Sequence, residues 1–452
     1  MLYPNILFLV IDSLRADKFF GKNKTSQTPN IDSLITKGVY FEQAISSADA
    51  TILSEVSIFT GRHPFKTGIR SERFNRLNKN TFTLFNFLKS HDYHFYGYLP
   101  TISKTIGLFP NFENSDSAYN KEPRFSGNAG NKTIEKFESK ELNEPWLFYI
   151  RPLDLHFPIS VPKQFDHERF GPTNYEKQVS AIDMWIGKIL QKIDFKKTLL
   201  IITADHGSYI KSAKINEKQI SFEENGNKEI LKNKIGNKVP KFLNPLKDYV
   251  FFSLEDSKKR KKSEMLEKLQ LKPNEKRNLI EGRYEIDHTI FDEKIRIPLL
   301  FAGFNINHNK IISQQVRNID IFPTICDLIG TSLDQPIDGQ SLYPLIKGES
   351  IEELPAYIES SPLIRLKSND VIGIRTSKHK YFRDKNESNK RIHLYNLESD
   401  PLENENLNHK KEIVNKMERI LQDILKDTSE NVSEDDEQTK EIEEELKRLG
   451  YI

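Results

Sequence analysis

Acidic and imidazole side chains follow two apolar runs of this sequence. Asp12 comes directly after the run NILFLVI, and Asp205 and His206 come after TLLIITA. Carboxylate oxygens and an imidazole nitrogen suit Zn²⁺ or Mn²⁺ better than they suit thiophilic metals. Gly207 gives the backbone the freedom to turn sharply, which is needed if Asp205 and His206 are to face one ion. An Asp-His pair by itself is weak evidence for a metal site, since most such pairs are turns with a solvated histidine.

Thr51 is a third residue that could do chemistry. It opens a helical pattern, TILSEVSIFT, that ends before Gly61. As the N-cap of this helix, the threonine hydroxyl would accept a hydrogen bond from a free backbone N–H. A hydroxyl at a helix N-terminus is also well placed to become a nucleophile, because the helix dipole stabilises negative charge there. The residues alone leave both interpretations open.

The elements that must position these residues alternate along the chain. Four apolar runs are typical of strands buried on both faces, and helical patterns lie between them. The pattern predicts an α/β fold with a mixed, mostly parallel sheet flanked by helices. In such sheets, active sites lie beyond the C-terminal ends of the strands, which is where Asp12 and Asp205 stand. The predicted strands are Asn5–Ile11, Trp146–Ile150, Thr198–Thr203 and Ile297–Ala302, and the main predicted helices are Thr28–Gly38, Thr51–Gly61, Phe82–Ser90 and Tyr175–Ile193.

The sequence predicts three parts. Residues 1–350 form the catalytic domain, residues 351–427 a small antiparallel subdomain, and residues 428–452 an acidic linker with a terminal helix. Residues 208–287 are a polar insertion in the first part, with 19 Lys and Arg against 13 Asp and Glu over 209–287, a net charge of +6. A solvated excursion is the favoured interpretation of this charge, and a cationic lid over an anionic substrate is the alternative.

Composition excludes several classes of protein. With 67 Lys and Arg against 65 Asp and Glu, the net charge of +2 argues for no particular partner, and no nucleic acid is indicated. Cys326 is the only cysteine, which excludes an intrachain disulfide and a cysteine-based zinc site. The N-terminal apolar run is too short for a membrane span and has no basic flank, so we expect a first strand, no transmembrane segment and a cytoplasmic location.

A series of segments, in order along nearly the whole chain, resembles the sulfatase branch of the alkaline phosphatase superfamily. Each segment is moderately specific, and their number and order carry the assignment. The resemblance implies a large α/β domain, a smaller C-terminal antiparallel sheet, and metal-dependent hydrolysis of an ester. The segments include PNILFLVIDSLRAD, TPNIDSLITKGVYFEQAIS, TGRHPFKTGI, ITADHG, EKIRIPLLFAG, GIRTSKHKYF and LYNLESDPLENENL.

The resemblance places Thr51 at the nucleophile position of this superfamily. Sulfatases have Cys or Ser there, in a C/S-x-P-S-R motif, and oxidise it to formylglycine. In this chain Thr51 is not a formylglycine precursor, Leu53 replaces the proline and Glu55 replaces the arginine. The GKWHLG motif with its sulfate-binding lysine is also absent from 98–113. We therefore expect no formylglycine. Threonine at this position resembles phosphodiesterases and phospho-group transferases of the superfamily, which attack phosphorus.

The resemblance also assigns roles to the other residues. It implies that Asp12, Thr51, Asp205 and His206 bind a divalent metal, Zn²⁺ or Mn²⁺ by preference and Ca²⁺ as an alternative. Ser13 stands where many relatives have a second aspartate, and we expect it to support the ligands.

The resemblance also implies that two further histidines bind the anionic ester. His156, in the family's H-x-P motif, and His288 would join Thr51 as catalytic residues. Asp154, His156 and His288 could instead form a second metal site or bind substrate. Because Pro158 stands where two-metal relatives have a histidine, one metal is favoured.

The function predicted is hydrolysis of a small phosphate diester or monoester through a covalent threonine intermediate. Three alternatives stay open: a sulfuric ester hydrolase without formylglycine, a transferase of a phospho group to a lipid or glycan, and a non-enzymatic binding protein on a decayed scaffold.

Overall fold

The structure is a computed structural model. It describes residues 3–22, 24–69, 76–78, 80–100, 103, 106–119, 123–215, 218–221, 263–264, 266–267, 271–280, 287–362 and 368–426. The strands are β1 Asn5–Val10, β2 Val39–Ile45, β3 His94–Pro100, β4 Ala118–Tyr119, β5 Trp146–Ile150, β6 Thr198–Thr203, β7 Ser212–Ile215, β8 Lys218–Ser221, β9 Arg296–Gly303, β10 Lys310–Arg317, β11 Ala356–Glu359, β12 Val371–Arg375, β13 His379–Asp384 and β14 His393–Asn396. The described helices are α1 Ala16–Phe19, α2 Pro29–Ile35, α3 Thr51–Thr60, α4 Leu84–Lys89, α5 Ala129–Glu138, α6 Asn174–Leu190, α7 Pro273–Ile280, α8 Asp292–Ile295, α9 Ile321–Leu328, α10 Tyr343–Lys347 and α11 Lys411–Leu425.

The large sheet has the strand order β10-β2-β9-β6-β1-β5-β3-β4. Its neighbours are parallel except where β9 pairs antiparallel with β2 and with β6. Every residue of β1, β5 and β6 is buried, because the centre of the sheet is covered on both faces. The predicted α/β fold with a mixed, mostly parallel sheet is confirmed.

The register of the central strands brings three chain segments to one edge of the sheet. In the parallel ladder of β1 with β6, Val10 is opposite Thr203, and in that of β1 with β5, Leu9 is opposite Ile150. The residues that follow these strands therefore emerge side by side at the carboxyl edge. This is the physical reason why Asp12 meets residues from two distant parts of the chain.

Element boundaries differ from the predicted ones by a few residues. Helix α3 runs from Thr51 to Thr60, and Gly61 ends it with a left-handed φ of 64°. Glycine is favoured there because it has no Cβ to resist that conformation. Strands β2, β3 and β10 were not among the predicted strands. Polar residues interrupt the apolar runs of β2 and β10, and Gly97 interrupts that of β3.

The C-terminal part forms the predicted small antiparallel sheet, in the order β11-β12-β13-β14. Helix α11 packs Val414, Met417 and Leu421 against one face of this sheet. Buried ion pairs join the sheet to α8: Asp292 lies 2.9 Å from the Arg375 guanidinium and 3.1 Å from Lys380 Nζ. The predicted terminal helix within 428–452 and most of the 208–287 insertion, including KKRKK at 258–262, lie outside the described residues.

Candidate active site

Four predicted site residues converge at the carboxyl edge of the sheet. Asp12 follows β1, Thr51 begins α3, and Asp205 and His206 follow β6. One ligand atom from each of Asp12, Asp205 and His206 lies within 4.8 Å of the other two. Over the part of the chain that the structure describes, this is the group of His, Cys, Asp and Glu side chains that could hold a metal ion. Both aspartates are buried and His206 is partly exposed, so the group opens toward solvent on the imidazole side.

The hydroxyl of Thr51 points into this group. Ala50, with φ −144° and ψ 152°, is the N-cap, and Thr51 is the first residue of the helix itself. Thr51 Oγ1 donates to Asp205 Oδ2 at 2.7 Å and lies 3.3 Å from His206 Nε2. The N-cap interpretation of Thr51 is therefore wrong. The hydroxyl makes its contacts with the acidic cluster at the N-terminus of α3 instead.

Asp205 is fixed from several directions. Its Oδ1 accepts from the backbone N–H of Ser13 at 3.0 Å and from that of His206 at 2.8 Å. Its carbonyl oxygen accepts from the hydroxyls of Ser46 at 2.6 Å and Ser54 at 2.5 Å. These contacts leave Oδ2 to face Thr51, so the carboxylate has one defined orientation.

Ser13 connects the two aspartates. Its φ of 62° lies in the left-handed region, which non-glycine residues seldom adopt. In this conformation its N–H reaches Asp205 while its Oγ donates to Asp12 Oδ1 at 2.8 Å. Unusual backbone geometry of this kind is maintained where the surrounding contacts over-determine it, as they do here. Ser13 thus supports both carboxylates without itself joining the ligand group.

The turn after Asp205 fixes the imidazole. Because Gly207 O is an acceptor, His206 Nδ1 must donate to it across their 2.8 Å contact. In the neutral imidazole, Nε2 then carries the lone pair, and it is the nitrogen on the Thr51 side. A Cβ on Gly207 would lie 2.2 Å from Glu293 O, so the glycine is needed for a close approach of two backbones. This differs from the expected reason, a special φ at the turn.

Arg151 is a site residue that the sequence analysis missed. It directly follows β5, and its side chain is 1% exposed. Its Nη2 donates to Asp12 Oδ2 at 2.7 Å and to Thr51 Oγ1 at 3.1 Å, and its Nη1 donates to Ser103 Oγ at 3.1 Å. The signal was its position, since residues immediately after buried strands are the ones that reach the carboxyl edge.

Glu55 lies against Arg151 in the interior. Its side chain is fully buried, its Oε1 accepts from the Tyr149 hydroxyl at 2.7 Å, and the Nε of Arg151 is 3.5 Å from that oxygen. Burial raises the pKa of Glu55, and the nearby carboxylates of Asp205 and Asp12 add to the rise, while Arg151 and the Tyr149 hydrogen bond oppose it. Glu55, which stands where the sulfatase motif has arginine, therefore faces an arginine that directly follows β5.

The charges of the site shift two further pKa values. Burial would raise the pKa of Asp12, but the Arg151 guanidinium, with smaller contributions from His156 and His206, holds it far below its ordinary value. Burial would lower the pKa of His206, but the carboxylates of Asp205 and Asp12 outweigh burial and raise it. Asp12 is thus ionised at neutral pH, and His206 holds a proton more tightly than a free histidine does.

The predicted second site, Asp154 with His156 and His288, does not assemble. Asp154 Oδ2 accepts from the Phe125 N–H at 2.7 Å, and Oδ1 accepts from Ser126 Oγ at 3.0 Å and from Gln178 Nε2 at 2.9 Å. Protein donors therefore occupy both carboxylate oxygens of Asp154. In the described chain its ligand atoms do not converge with those of the two histidines.

The two histidines have different neighbours. His156 is close enough to Asp12 for its charge to lower the pKa of that carboxyl. His288 is buried beside Asp49 and Asp370, whose pKa values respond to it, and its backbone N–H donates to the carbonyl oxygen of Asn369 at 3.1 Å. The structure thus places His156 toward the Asp12 side and His288 toward the C-terminal sheet.

The donor set fits a divalent cation. Two carboxylates, one imidazole nitrogen and one hydroxyl are oxygen and nitrogen ligands of the kind that Zn²⁺ and Mn²⁺ accept. A carboxylate has about four lone-pair sites, so Asp12 and Asp205 retain capacity beyond their contacts with Arg151, Ser13 and Thr51. The site as built can hold an ion and keep Thr51 Oγ1 beside it.

Comparison with family models places most of the chain in one family. The model described as Sulfatase matches residues 4–331, and that described as N-sulphoglucosamine sulphohydrolase, C-terminal, matches residues 281–431. The first match includes Asp12, Thr51, Asp205 and His206. The second covers the small antiparallel sheet and α11.

Curated relatives match over shorter segments. N-acetylglucosamine-6-sulfatase of Bos taurus is 40% identical over 62 residues, which are 14% of this chain and 11% of the relative. Delta 4,5-hexuronate-2-O-sulfatase of Bacteroides thetaiotaomicron is 28% identical over 129 residues, 26% of this chain and 25% of the relative. The alignment with each of these two therefore spans a quarter or less of the relative's length.

Solved structures share the fold over nearly the whole chain. A 2-O GAG sulfatase superposes with a TM-score of 0.64 at 18% identity, covering 97% of this chain and 96% of that one. The phosphonate monoester hydrolase of Agrobacterium radiobacter superposes with a TM-score of 0.63 at 15% identity, covering 94% and 95%. Within the described residues, no helix combines the length and the apolar character needed to cross a bilayer. With a Sulfatase model matched over most of its length, the chain belongs to the sulfatase family of the alkaline phosphatase superfamily.

Proposed function

We propose that this chain is a metal-dependent hydrolase of small phosphate esters and that Thr51 is its nucleophile. The observation that carries the proposal is the position of Thr51 Oγ1, which donates to Asp205 Oδ2 at 2.7 Å and lies 3.3 Å from His206 Nε2. A hydroxyl that merely capped the helix would face the backbone. This one faces the residues that could hold a cation.

The chemistry of threonine favours phosphorus over sulfur. The formylglycine of sulfatases is an aldehyde made by oxidising Cys or Ser, whereas the methyl group on the Cβ of Thr51 would make the oxidation product a ketone. Direct attack by the threonine oxygen on phosphorus needs no such modification. The fold itself does not distinguish attack on phosphorus from attack on sulfur, since it is shared with a phosphonate monoester hydrolase and with sulfatases.

Asp12, Asp205, His206 and Thr51 would hold the divalent cation. When bound, such an ion supplies positive charge that lowers the pKa of a nearby hydroxyl and neutralises the ester. The proton of Thr51 Oγ1 is directed at Asp205 Oδ2, which is the acceptor in position to take it. The threonine oxygen then forms a bond to phosphorus while the bond from phosphorus to the leaving oxygen breaks.

The leaving oxygen needs a proton, and His156 is our choice for the donor. It lies near Asp12, whereas His288 lies beside Asp49 and the small sheet, and we assign His288 to a non-bridging oxygen. General acid catalysis of this kind contributes about 10²–10⁴-fold. Water then cleaves the bond between phosphorus and Thr51 Oγ1, and the free hydroxyl is restored.

The test compares T51A with wild-type protein on aryl esters of phosphate, phosphonate and sulfate, with Mn²⁺, Zn²⁺ or Ca²⁺ present. We expect phosphate ester turnover by the wild type and a loss of kcat of at least about 10³-fold in T51A. Calorimetry should show that T51A still binds the metal. The wild type should also gain the mass of a phosphoryl group on Thr51 when it is quenched during turnover.

Thr60→Ala is the matched control. It removes a buried hydroxyl from the other end of α3, where Thr60 Oγ1 donates to the carbonyl oxygen of Val56 at 2.7 Å. Its kcat should stay near the wild-type value. If T51A retained wild-type turnover with metal bound, or if the wild type cleaved aryl sulfate and no phosphorus ester, the proposal would be abandoned.

A further inference from the structure

We propose that Arg151 is a catalytic residue that stabilises negative charge on Thr51 Oγ1, and that Glu55 and Tyr149 position its guanidinium. The inference rests on the proposed function of Thr51 as nucleophile. It assigns a role to a residue directly after β5 that the motifs of the sequence do not mark.

The geometry brings one nitrogen to both partners. Arg151 Nη2 carries two N–H groups, and the side chain directs one to Asp12 Oδ2 at 2.7 Å and the other to Thr51 Oγ1 at 3.1 Å. The same nitrogen is 3.9 Å from Asp205 Oδ2. The guanidinium therefore lies among three of the groups at which the reaction begins.

Burial increases the effect of this charge. The Arg151 side chain is 1% exposed, so water screens its field little. When the proton leaves Thr51 Oγ1, the oxygen becomes negative, and an N–H of Arg151 is already aimed at it. The same N–H serves the second step, in which Thr51 Oγ1 departs from phosphorus. No bond to Arg151 forms or breaks in either step.

Two side chains fix the guanidinium from behind. Glu55 Oε1 lies 3.5 Å from Arg151 Nε and accepts from the Tyr149 hydroxyl at 2.7 Å. Ser103 Oγ accepts from Arg151 Nη1 at 3.1 Å and lies 3.4 Å from Glu55 Oε2. Glu55 projects from α3, one turn after Thr51, so nucleophile and supporting carboxyl move with the same helix. Glu55 and Tyr149 do not contact the reacting atoms and are positioning residues.

A metal held by Asp12 would share that carboxylate with Arg151. The guanidinium charge, 2.7 Å from Asp12 Oδ2, would oppose the binding of a second cation by the same carboxylate. Removing the guanidinium should therefore strengthen metal binding while it weakens catalysis. Damage to the fold would weaken both, so the opposite signs separate a role in the site from a structural role.

The experiment measures R151Q, E55Q and the double variant beside the wild type. R151Q should lower kcat by about 10²–10³-fold, the usual cost of losing one donor to a developing oxyanion, with KM changed by less than about threefold. E55Q should lower kcat by about tenfold, as expected for a residue that acts through another. Because Glu55 acts only through Arg151, E55Q should cause no further loss in the R151Q background.

Arg375→Gln is the matched control for loss of a buried guanidinium. The Arg375 side chain is 2% exposed and contacts Asp292, Gln315 and Gln43, away from Thr51. R375Q should lower the melting temperature and leave kcat of the folded protein unchanged. Titration calorimetry with Mn²⁺ should show R151Q binding the ion about tenfold more tightly than the wild type does, or tighter.

Two results would overturn the inference. One is an R151Q variant that keeps wild-type kcat while T51A is inactive. The other is weaker Mn²⁺ binding by R151Q than by the wild type. Failure of the proposed function would give other results: T51A would keep its turnover, or the wild type would cleave no phosphorus ester.

Discussion

Metal binding at Asp12, Asp205 and His206 should weaken as the pH falls through the pKa of His206. The Nδ1–H of His206 donates to Gly207 O, which leaves Nε2 as the nitrogen for the metal. A proton on Nε2 excludes the ion. Asp12 does not interfere, because Arg151 keeps its pKa far below its ordinary value and the carboxylate stays ionised over the whole range tested.

The size of the effect follows from the direction of the His206 shift. Asp205 Oδ2 lies 3.5 Å from Nε2, and the two carboxylates raise the pKa above the ordinary value of 6.5. Each pH unit below the folded pKa costs a factor of about ten in affinity, about 1.4 kcal/mol. Between pH 8 and pH 6, affinity should therefore fall by more than about fourfold and by no more than about a hundredfold.

The metal-free protein should show the opposite dependence. A raised folded pKa means that the charged His206 stabilises the fold, fully below the unfolded pKa of about 6.5 and progressively less as the pH rises through the folded pKa. The contribution of His206 to the melting temperature therefore falls with rising pH in the metal-free protein. The increase in melting temperature caused by Mn²⁺ should grow over the same range.

Calorimetric titration of Mn²⁺ at pH 6, 7 and 8, in two buffers of different ionisation enthalpy, counts the protons released. We expect release approaching one proton at pH 6 and less at pH 8. H206A should bind weakly with little pH dependence, and H167A, which removes an exposed histidine before α6, should match the wild type. Absence of proton release at pH 6, or an unchanged pH dependence in H206A, would refute the reasoning.

Two further substitutions test the surroundings of the site. Gly207→Ala places a Cβ 2.2 Å from Glu293 O, so the unfolding free energy should fall by about 1–3 kcal/mol and Mn²⁺ affinity should fall with it. Both quantities are measured by calorimetry, and a G207A variant with wild-type stability and affinity would contradict the close approach. Asp154→Ala removes the acceptor of hydrogen bonds from the Phe125 N–H, Ser126 and Gln178. The unfolding free energy should therefore fall by about 3 kcal/mol, while the number of metal ions bound per chain stays as in the wild type. If D154A bound one ion fewer, Asp154 would be a metal ligand after all.

Local patterns determined where the chemistry lies along the chain. Asp12, Asp205 and His206 follow strands whose continuous apolar character is a property of the segments themselves. Because those strands are parallel neighbours, their carboxyl ends must share one edge of the sheet. Strands β2 and β10 escaped prediction because polar residues interrupt their apolar runs, and β3 because Gly97 interrupts its run.

Tertiary contacts decided the role of each side chain. Thr51 has the same local sequence whether it caps a helix or faces a metal, and only the approach of Asp205, 154 positions later, separates the two. No local motif marks Arg151, because its partners Asp12 and Thr51 lie 139 and 100 positions away in the sequence. The sequence suggests Asp154 as a metal ligand, but protein hydrogen-bond donors occupy its carboxylate oxygens. The local sequence shows which residues directly follow a strand. Hydrogen bonds and ion pairs between distant residues depend on distances that only the folded structure sets.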